Sequence, residues 1–134
     1  MPDLDWTASV NPRDPTPLHA QLERSIRAAI ASRRLRPGDQ LPTVRQLAVA
    51  LRINANTVAK VYAELERGGI LETRRGVGTF VRARQDGILT RASKQSRERE
   101  LRAFADRFLA EAHNLGFSLD EVIEHLTDMR KKGE

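Results

Sequence analysis

Eight residues in the first two thirds of the chain are of types suited to contacts with a nucleic acid. An asparagine amide can pair with an adenine edge, an alanine can touch a thymine methyl, and threonine, lysine and arginine can bind phosphates or base edges. A glycine lets a loop backbone approach closely. These residues are Arg45, then Asn54, Ala55, Asn56, Thr57 and Lys60, then Arg75 and Gly76. Their types favour a nucleic-acid surface over a catalytic site.

Each of these residues also has a purely structural interpretation. Asn54 can cap a helix as well as read a base, and Thr57 can be an ordinary surface residue. Arg45 and Arg75, taken singly, would be solvated charges in most proteins. The nucleic-acid hypothesis therefore depends on a fold that carries these residues to one face.

Two predicted helices would position the first two groups of these residues. Thr43 and Gln46 form a capping box, which opens a short helix with an apolar stripe from Val44 to Leu51. Asn54 can cap the next helix, over about 54–67, which also has one apolar stripe. The short separation between these helices predicts a helix-turn-helix, whose second helix would enter the major groove.

A glycine-rich hairpin would position the third group. Gly68-Gly69 ends the second helix, and short β-like segments follow at 70–73 and 79–82. The predicted wing over 70–82 has an arginine-bearing tip that fits the minor groove, above all where A·T-rich sequence narrows it. The first part of the chain therefore reads as a winged helix-turn-helix.

The predicted fold class is mainly α with a small β-hairpin: a winged helix-turn-helix followed by a short two-helix C-terminal dimerisation unit. The first segment is interpreted as extended, with a short strand at 5–10, and a first helix should run from Pro17 to about Arg34. The predicted segments are an N-terminal arm (1–16), the winged helix-turn-helix domain (17–84), a linker (85–97) and a helical tail (98–130).

The tail has two apolar stripes that a lone helix pair of this size cannot cover. Gly116 should end its first helix, and a capping box of Ser118 and Glu121 should open its second. We expect the stripes to form a homodimer contact; the alternative is a tail that folds back on its own winged helix. The predicted dimer residues are Leu101, Phe104, Ala105, Phe108, Ala112, Leu115, Leu119, Val122, Ile123 and Leu126.

Composition narrows the function classes. Fourteen Lys and Arg against nine Asp and Glu give residues 1–90 a net charge of +5, whereas nine of each leave 91–134 neutral. The excess of basic residues predicts that the first part meets a polyanion. The chain of 134 residues has no cysteine, no apolar run long enough to cross a bilayer and no signal-peptide pattern, so a cytoplasmic location is expected.

Catalytic and ligand-binding signals are weak. No nucleophile-base pair, phosphate loop or carboxylate pair is apparent, so an enzyme is not expected, and no cofactor is indicated. Glu121 and His125 stand one helical turn apart and could share an ion, but this spacing is more typical of a solvated helix face. A small-molecule effector could bind the tail, although the sequence names none.

The motifs also resemble the GntR family of bacterial regulators, and within it the short YtrA-type subgroup. The resemblance is carried by PLHAQL at 17–22, LRPGDQLPTVRQLA at 35–48, NANTV at 54–58, GVGTFV at 76–81 and SLDEVI at 118–123. It implies a winged helix whose DNA contacts fall on the eight residues named above, and a tail that supplies dimer contacts. Ala55 departs from the proline often found there in this subgroup, so operator preference does not transfer.

The leading hypothesis is a sequence-specific transcription regulator, a homodimeric repressor that occludes a palindromic operator in double-stranded DNA. A different hypothesis makes the winged helix a protein-interaction module without a DNA role; a third makes the chain the front part of a larger enzyme-linked regulator. Salt-insensitive behaviour or failure to retain DNA at low ionic strength would favour the interaction module.

Overall fold

The computed structural model describes residues 4–83 and 91–133, and side chains from residue 94 onward in the second stretch. It is mainly helical with one two-stranded antiparallel sheet, which confirms the predicted fold class. Two compact units divide the chain near residue 84. A 3-10 turn at Asp5–Thr7 is followed by α1 (Leu18–Ala31), α2 (Val44–Leu51), α3 (Ala55–Arg67), β1 (Leu71–Arg74), β2 (Gly78–Val81), α4 (Arg91–Asn114) and α5 (Leu119–Gly133).

The core of the first unit lies between α1, α2 and α3. Apolar residues recur at three- and four-residue steps along each helix, so one stripe of each faces the others. The predicted stripe of α3 is confirmed, whereas Val44 and Leu51 at the ends of α2 are only half-buried. The side chains with no exposed surface are Leu22, Ile26, Leu47, Val58, Val61 and Leu65.

Tyr62 ties α3 to the segment that precedes α2. Its hydroxyl donates a hydrogen bond of 2.8 Å to the carbonyl oxygen of Pro42 in the buried interior. Burial also raises the pKa of Tyr62 far above its ordinary value, because the phenolate would lose its hydration. This bond holds the start of α2 against the middle of α3.

The predicted strand at 5–10 is wrong, because the structure has a 3-10 turn there. Trp6 in this turn is buried in the core, and the Ser25 hydroxyl donates a hydrogen bond to its carbonyl oxygen. The turn is thus fixed by tertiary packing on α1. The first helix also ends earlier than Arg34, since Arg33 adopts a positive φ of 65° and reverses the chain.

The hairpin is confirmed, with each strand displaced by one residue from its predicted bounds. Leu71 pairs with Val81 and Arg74 with Gly78, which leaves a three-residue loop between the strands. An isolated bridge between Gln40 and Phe80 adds the chain before α2 to the other edge of β2. The wing therefore has a third, short strand-like segment that hydrophobic patterning did not predict.

The second unit begins its helix earlier than predicted. Residues 91–97 of the predicted linker belong to α4, because arginine, alanine, lysine and glutamine favour a helix without an apolar stripe. The earlier part of that linker, at 85–90, lies outside the described residues. The last helix likewise runs past the predicted end at 130, to Gly133.

Two local motifs fix the turn between α4 and α5. Gly116 has a φ of 91°, and the amides of Gly116 and Phe117 donate to the carbonyls of His113 and Ala112, as in a Schellman motif. Ser118 and Glu121 then form the predicted capping box, with both hydrogen bonds at 3.2 Å. Local sequence alone is enough to specify this turn.

Candidate nucleic-acid interface

Arg45 lies on the exposed first turn of α2. The helix begins at a complete capping box, in which the Gln46 amide donates to Thr43 Oγ1 at 3.0 Å and the Thr43 amide to Gln46 Oε1 at 2.9 Å. No acidic residue occupies this turn. The positive end of the helix dipole and the guanidinium therefore favour the same ligand, an anion such as a phosphate.

Asn54 is the N-cap of α3, so the helix-cap interpretation is confirmed. Its Oδ1 accepts a hydrogen bond of 2.8 Å from the Asn56 amide. The preceding turn depends on Arg52, which takes a left-handed conformation with φ 56°. The cap engages only the amide oxygen of Asn54, so the side-chain Nδ2 can still donate to a base or phosphate.

The start of α3 presents the remaining predicted residues of that helix. Ala55, Asn56 and Lys60 are exposed, and Asn56 and Lys60 lie one turn apart on the same helix face. Thr57 is half-buried, so it is less outward than predicted. The first turn carries no acidic side chain, so an approaching phosphate or base edge meets no opposing charge there.

The hairpin tip gives its two arginines different surroundings. The Arg74 guanidinium lies 4.4 Å from the centroid of the Phe80 ring and 3.8 Å from the Glu72 carboxylate. Arg75 and Gly76 lie in the exposed turn, which is closed by a 2.9 Å bond from the Val77 amide to the Arg74 carbonyl. Arg74 therefore supports the sheet, and Arg75 is the arginine that the tip presents.

Gln40 belongs to this site although sequence reasoning did not select it. Its side-chain Nε2 donates a hydrogen bond of 3.1 Å to the carbonyl oxygen of Val77 in the wing tip. The stretch before Leu41-Pro42 has turn-forming residues but no strand periodicity that would indicate pairing with the wing. Only the pairing of this segment with β2 reveals the contact.

The predicted dimer residues of the tail differ in exposure. Ala112 is buried, and Ala105 and Val122 are half-buried within the single chain. The other seven are exposed, from 42% for Phe108 to 68% for Leu115. They are Leu101, Phe104, Phe108, Leu115, Leu119, Ile123 and Leu126.

Phe117 extends this apolar surface and was not predicted. It is 53% exposed and lines a groove with Phe108, Val122 and Leu126. Its position after Gly116, where a Schellman motif commonly places an apolar residue, is the sequence signal that could have identified it. In addition, the rings of Phe104 and Phe108 stack with their centroids 6.3 Å apart.

Glu121 has a structural role in the capping box, where its carboxylate accepts from the Ser118 amide. Within residues 4–83 and 91–133 there is no group of three or more metal-ligating side chains, so Glu121 and His125 have no further ligand beside them. Nor does any helix in those ranges combine the length and apolar character needed to cross a membrane.

Comparisons with known proteins agree on one family. A model described as "Bacterial regulatory proteins, gntR family" matches residues 18–81. The uncharacterized HTH-type transcriptional regulator YhcF of Bacillus subtilis is 32% identical over 117 residues, covering 87% of this chain and 93% of that protein. The HTH-type transcriptional repressor YtrA of the same organism is 32% identical over 120 residues, covering 90% and 89%.

Solved structures extend the likeness to the whole fold. The crystal structure of a transcriptional regulator from Oenococcus oeni matches with a TM-score of 0.56 and 31% identity, covering 91% of this chain and 98% of that one. The likeness therefore includes the C-terminal helices as well as the winged helix.

Proposed function

Because the chain belongs to the GntR family of bacterial regulatory proteins and is a DNA-binding transcription regulator, we propose that it acts as a homodimeric repressor at a palindromic operator. The recognition helix α3 would lie in the major groove and the wing in the adjacent minor groove. The observation that carries the proposal is the exposure of the α3 start and the wing tip on one basic unit, with no acid in the first turn of α2 or α3.

The proposed footprint divides the contacts by chemistry. Arg45, Lys60 and the N-termini of α2 and α3 would bind phosphates and set the register of the protein on the duplex. Asn56 could pair with an adenine edge and Ala55 could touch a thymine methyl, so these two would read sequence. Arg75 would enter the minor groove, where Gly76 permits close approach.

The tail supports the dimer half of the proposal. Eight large apolar side chains are exposed in the tail, six on its two helices and two in the turn between them, and the tail carries no net charge to oppose association of two copies. Two-fold symmetry would set the recognition helices about 34 Å apart, one turn of B-DNA, and would require a palindromic or nearly palindromic operator.

Repression by occlusion is the simplest proposed action, because it requires only that the protein cover its operator. The relative YtrA is named a transcriptional repressor. Within this sequence, the tail helices and the DNA-binding unit are the two places where we propose that a small-molecule effector would bind. We further propose a cytoplasmic location and no catalytic activity.

Selection of bound sequences from a random duplex library would test the proposal. The full-length chain should enrich a palindrome, and Arg45→Ala and Arg75→Ala should each weaken binding to that duplex by roughly tenfold while leaving the fold and dimer intact. Arg27→Ala is a matched control, because Arg27 is an exposed arginine of the same unit, paired with Glu23 at 3.2 Å on α1.

Three outcomes would contradict parts of this proposal. Unchanged affinity in both the Arg45 and Arg75 variants would reject the footprint. An enriched duplex without two-fold symmetry would reject the palindromic operator. Failure to retain any duplex at low ionic strength would reject DNA binding, since phosphate contacts are strongest there.

A further inference from the structure

The tip of the wing is held by a side chain from outside the hairpin. Gln40 Nε2 donates to the Val77 carbonyl oxygen at 3.1 Å, thirty-seven residues away along the chain. Val77 is the last residue of the loop that also contains Arg75 and Gly76. The contact thus joins the loop to the segment that leads into α2.

Backbone pairing places Gln40 at this position. The Leu41 amide donates to the Thr79 carbonyl at 2.8 Å, and the Val81 amide donates to the Asp39 carbonyl at 2.8 Å. These bonds flank the bridge between Gln40 and Phe80. Gln40 is therefore fixed at its backbone along the outer edge of β2, and its side chain needs only to reach along that edge.

Gly78 provides the space that the Gln40 side chain occupies. A Cβ atom at position 78 would overlap the Gln40 amide, and the φ of 142° at Gly78 is one that other residues rarely adopt. The contact therefore uses two residues of different kinds, a long amide that donates and a glycine that leaves room. A side chain at position 78 would displace the Gln40 amide from the Val77 carbonyl.

We propose that Gln40 is a positioning residue for the wing, which fixes the loop so that Arg75 is presented to the minor groove. The inference rests on the proposed DNA contact of Arg75. Arg74 is engaged on the Phe80 ring, whereas Arg75 and Val77 are exposed, so the bond from Gln40 is a tertiary contact that restrains the tip itself. Gln40 acts through Arg75 and needs no contact with DNA of its own.

The test uses the full-length chain and the duplex that the wild type selects from a random library. Gln40→Ala removes the contact, and Gln40→Met keeps a side chain of similar length without a donor. Each should weaken binding by roughly two- to tenfold, the effect of one exposed neutral hydrogen bond. Gln95→Ala, at an exposed glutamine of α4, is the matched control and should bind as the wild type does.

Two further readouts separate positioning from a general structural role. In an Arg75→Ala background, Gln40→Ala should cause no additional loss, because the contact acts through Arg75. A library selection with Gln40→Ala should keep the base preferences read by α3 and lose those under the wing. The midpoint of thermal unfolding should fall by no more than a few degrees, since only one hydrogen bond is lost.

The outcomes distinguish this inference from the proposed function. If Arg75→Ala weakens binding and both Gln40 variants bind normally, the positioning role is wrong and the DNA footprint stands. If the losses from Gln40→Ala and Arg75→Ala add, Gln40 acts independently and the inference is wrong. If Arg75→Ala has no effect on DNA binding, the wing contact and the role of Gln40 are both rejected. Weaker binding by Arg45→Ala would still support the DNA contacts proposed for α2 and α3.

Discussion

The winged helix-turn-helix buries most of its large apolar side chains within one chain, whereas the tail leaves most of its own exposed. Ile26 in α1 has no exposed surface, while Ile123 in α5 is 51% exposed. Both regions have complete capping boxes and well-formed helices. Local helix signals are therefore equally good in the two regions, and the difference lies in what covers the apolar faces.

The two regions also differ in charge in a way that matches this division. The first 90 residues carry the whole net charge of +5, and the rest of the chain is neutral. A self-sufficient basic unit suits a solvent-exposed polyanion ligand, whereas a tail with no net charge and an exposed apolar face suits a second copy of itself. The comparison predicts that the first unit is stable at any protein concentration and that the tail depends on concentration.

The largest expected effect comes from replacing a core isoleucine of the first unit by alanine, compared with the same replacement in the tail. Ile26→Ala should lower the free energy of unfolding of the first unit by about 2–5 kcal/mol, because it removes apolar contacts and leaves a cavity. The fluorescence of Trp6, the single tryptophan of the chain, would follow denaturant unfolding of this core. Ile123→Ala is the matched control, and at concentrations too low for dimers it should cost less than about 1 kcal/mol. Equal costs would contradict the division.

A charge on the apolar face of the tail tests the dimer directly. Phe108→Asp should give a monomer in sedimentation experiments and weaken binding to the full palindrome by about 100-fold or more, because two linked half-site contacts become one. Ala103→Asp is the matched control, since Ala103 is exposed on the opposite face of α4. A dimer that survives Phe108→Asp would place the interface elsewhere.

The features predicted correctly from the sequence are those that depend on neighbouring residues. The capping boxes at Thr43 and Ser118 and the cap at Asn54 involve side chains within three residues of the amide that they bind. Gly116 likewise ends α4 through its own backbone freedom. Such signals can be identified without knowledge of the rest of the fold.

The errors and omissions fall where distant parts of the chain decide the local structure. Trp6 forms a 3-10 turn because its ring packs in a core built by later helices, and Gln40 joins the wing through pairing with β2. The start of α4 was predicted too late because its polar first turns need no apolar stripe. Of the candidate site, the exposed positions on α2, α3 and the tip were predictable, and the residue that holds the tip was not.

Titration of Tyr62 should have a smaller effect, on the pH dependence of the stability of the first unit. Because burial raises the folded-state pKa above the unfolded value of about 10, the contribution of Tyr62 to stability is complete below pH 10 and declines as the pH rises further. Absorbance of tyrosinate reports this group directly, since it is the single tyrosine of the chain. Ionisation near pH 10 in the folded protein would contradict the buried environment.

The variant Tyr62→Phe separates this titration from other alkaline effects. It should abolish the part of the pH dependence that comes from Tyr62. It should also cost about 1–3 kcal/mol at neutral pH, because the buried carbonyl of Pro42 loses its donor. A variant that is as stable as the wild type would mean that this carbonyl has another partner.

The two capping boxes give the smallest expected effects, and they compare the same pair of hydrogen bonds in the first unit and in the tail. Thr43→Ala should lower the free energy of unfolding of the first unit by about 1 kcal/mol at every protein concentration. Ser118→Ala should instead weaken the proposed dimer, because there a second copy would cover the exposed apolar face of α5. Thr43→Ser keeps the acceptor oxygen and should restore most of the stability. If Ser118→Ala lowered stability equally at all concentrations, the tail would be stable in a single chain, and its exposed apolar face would need another explanation.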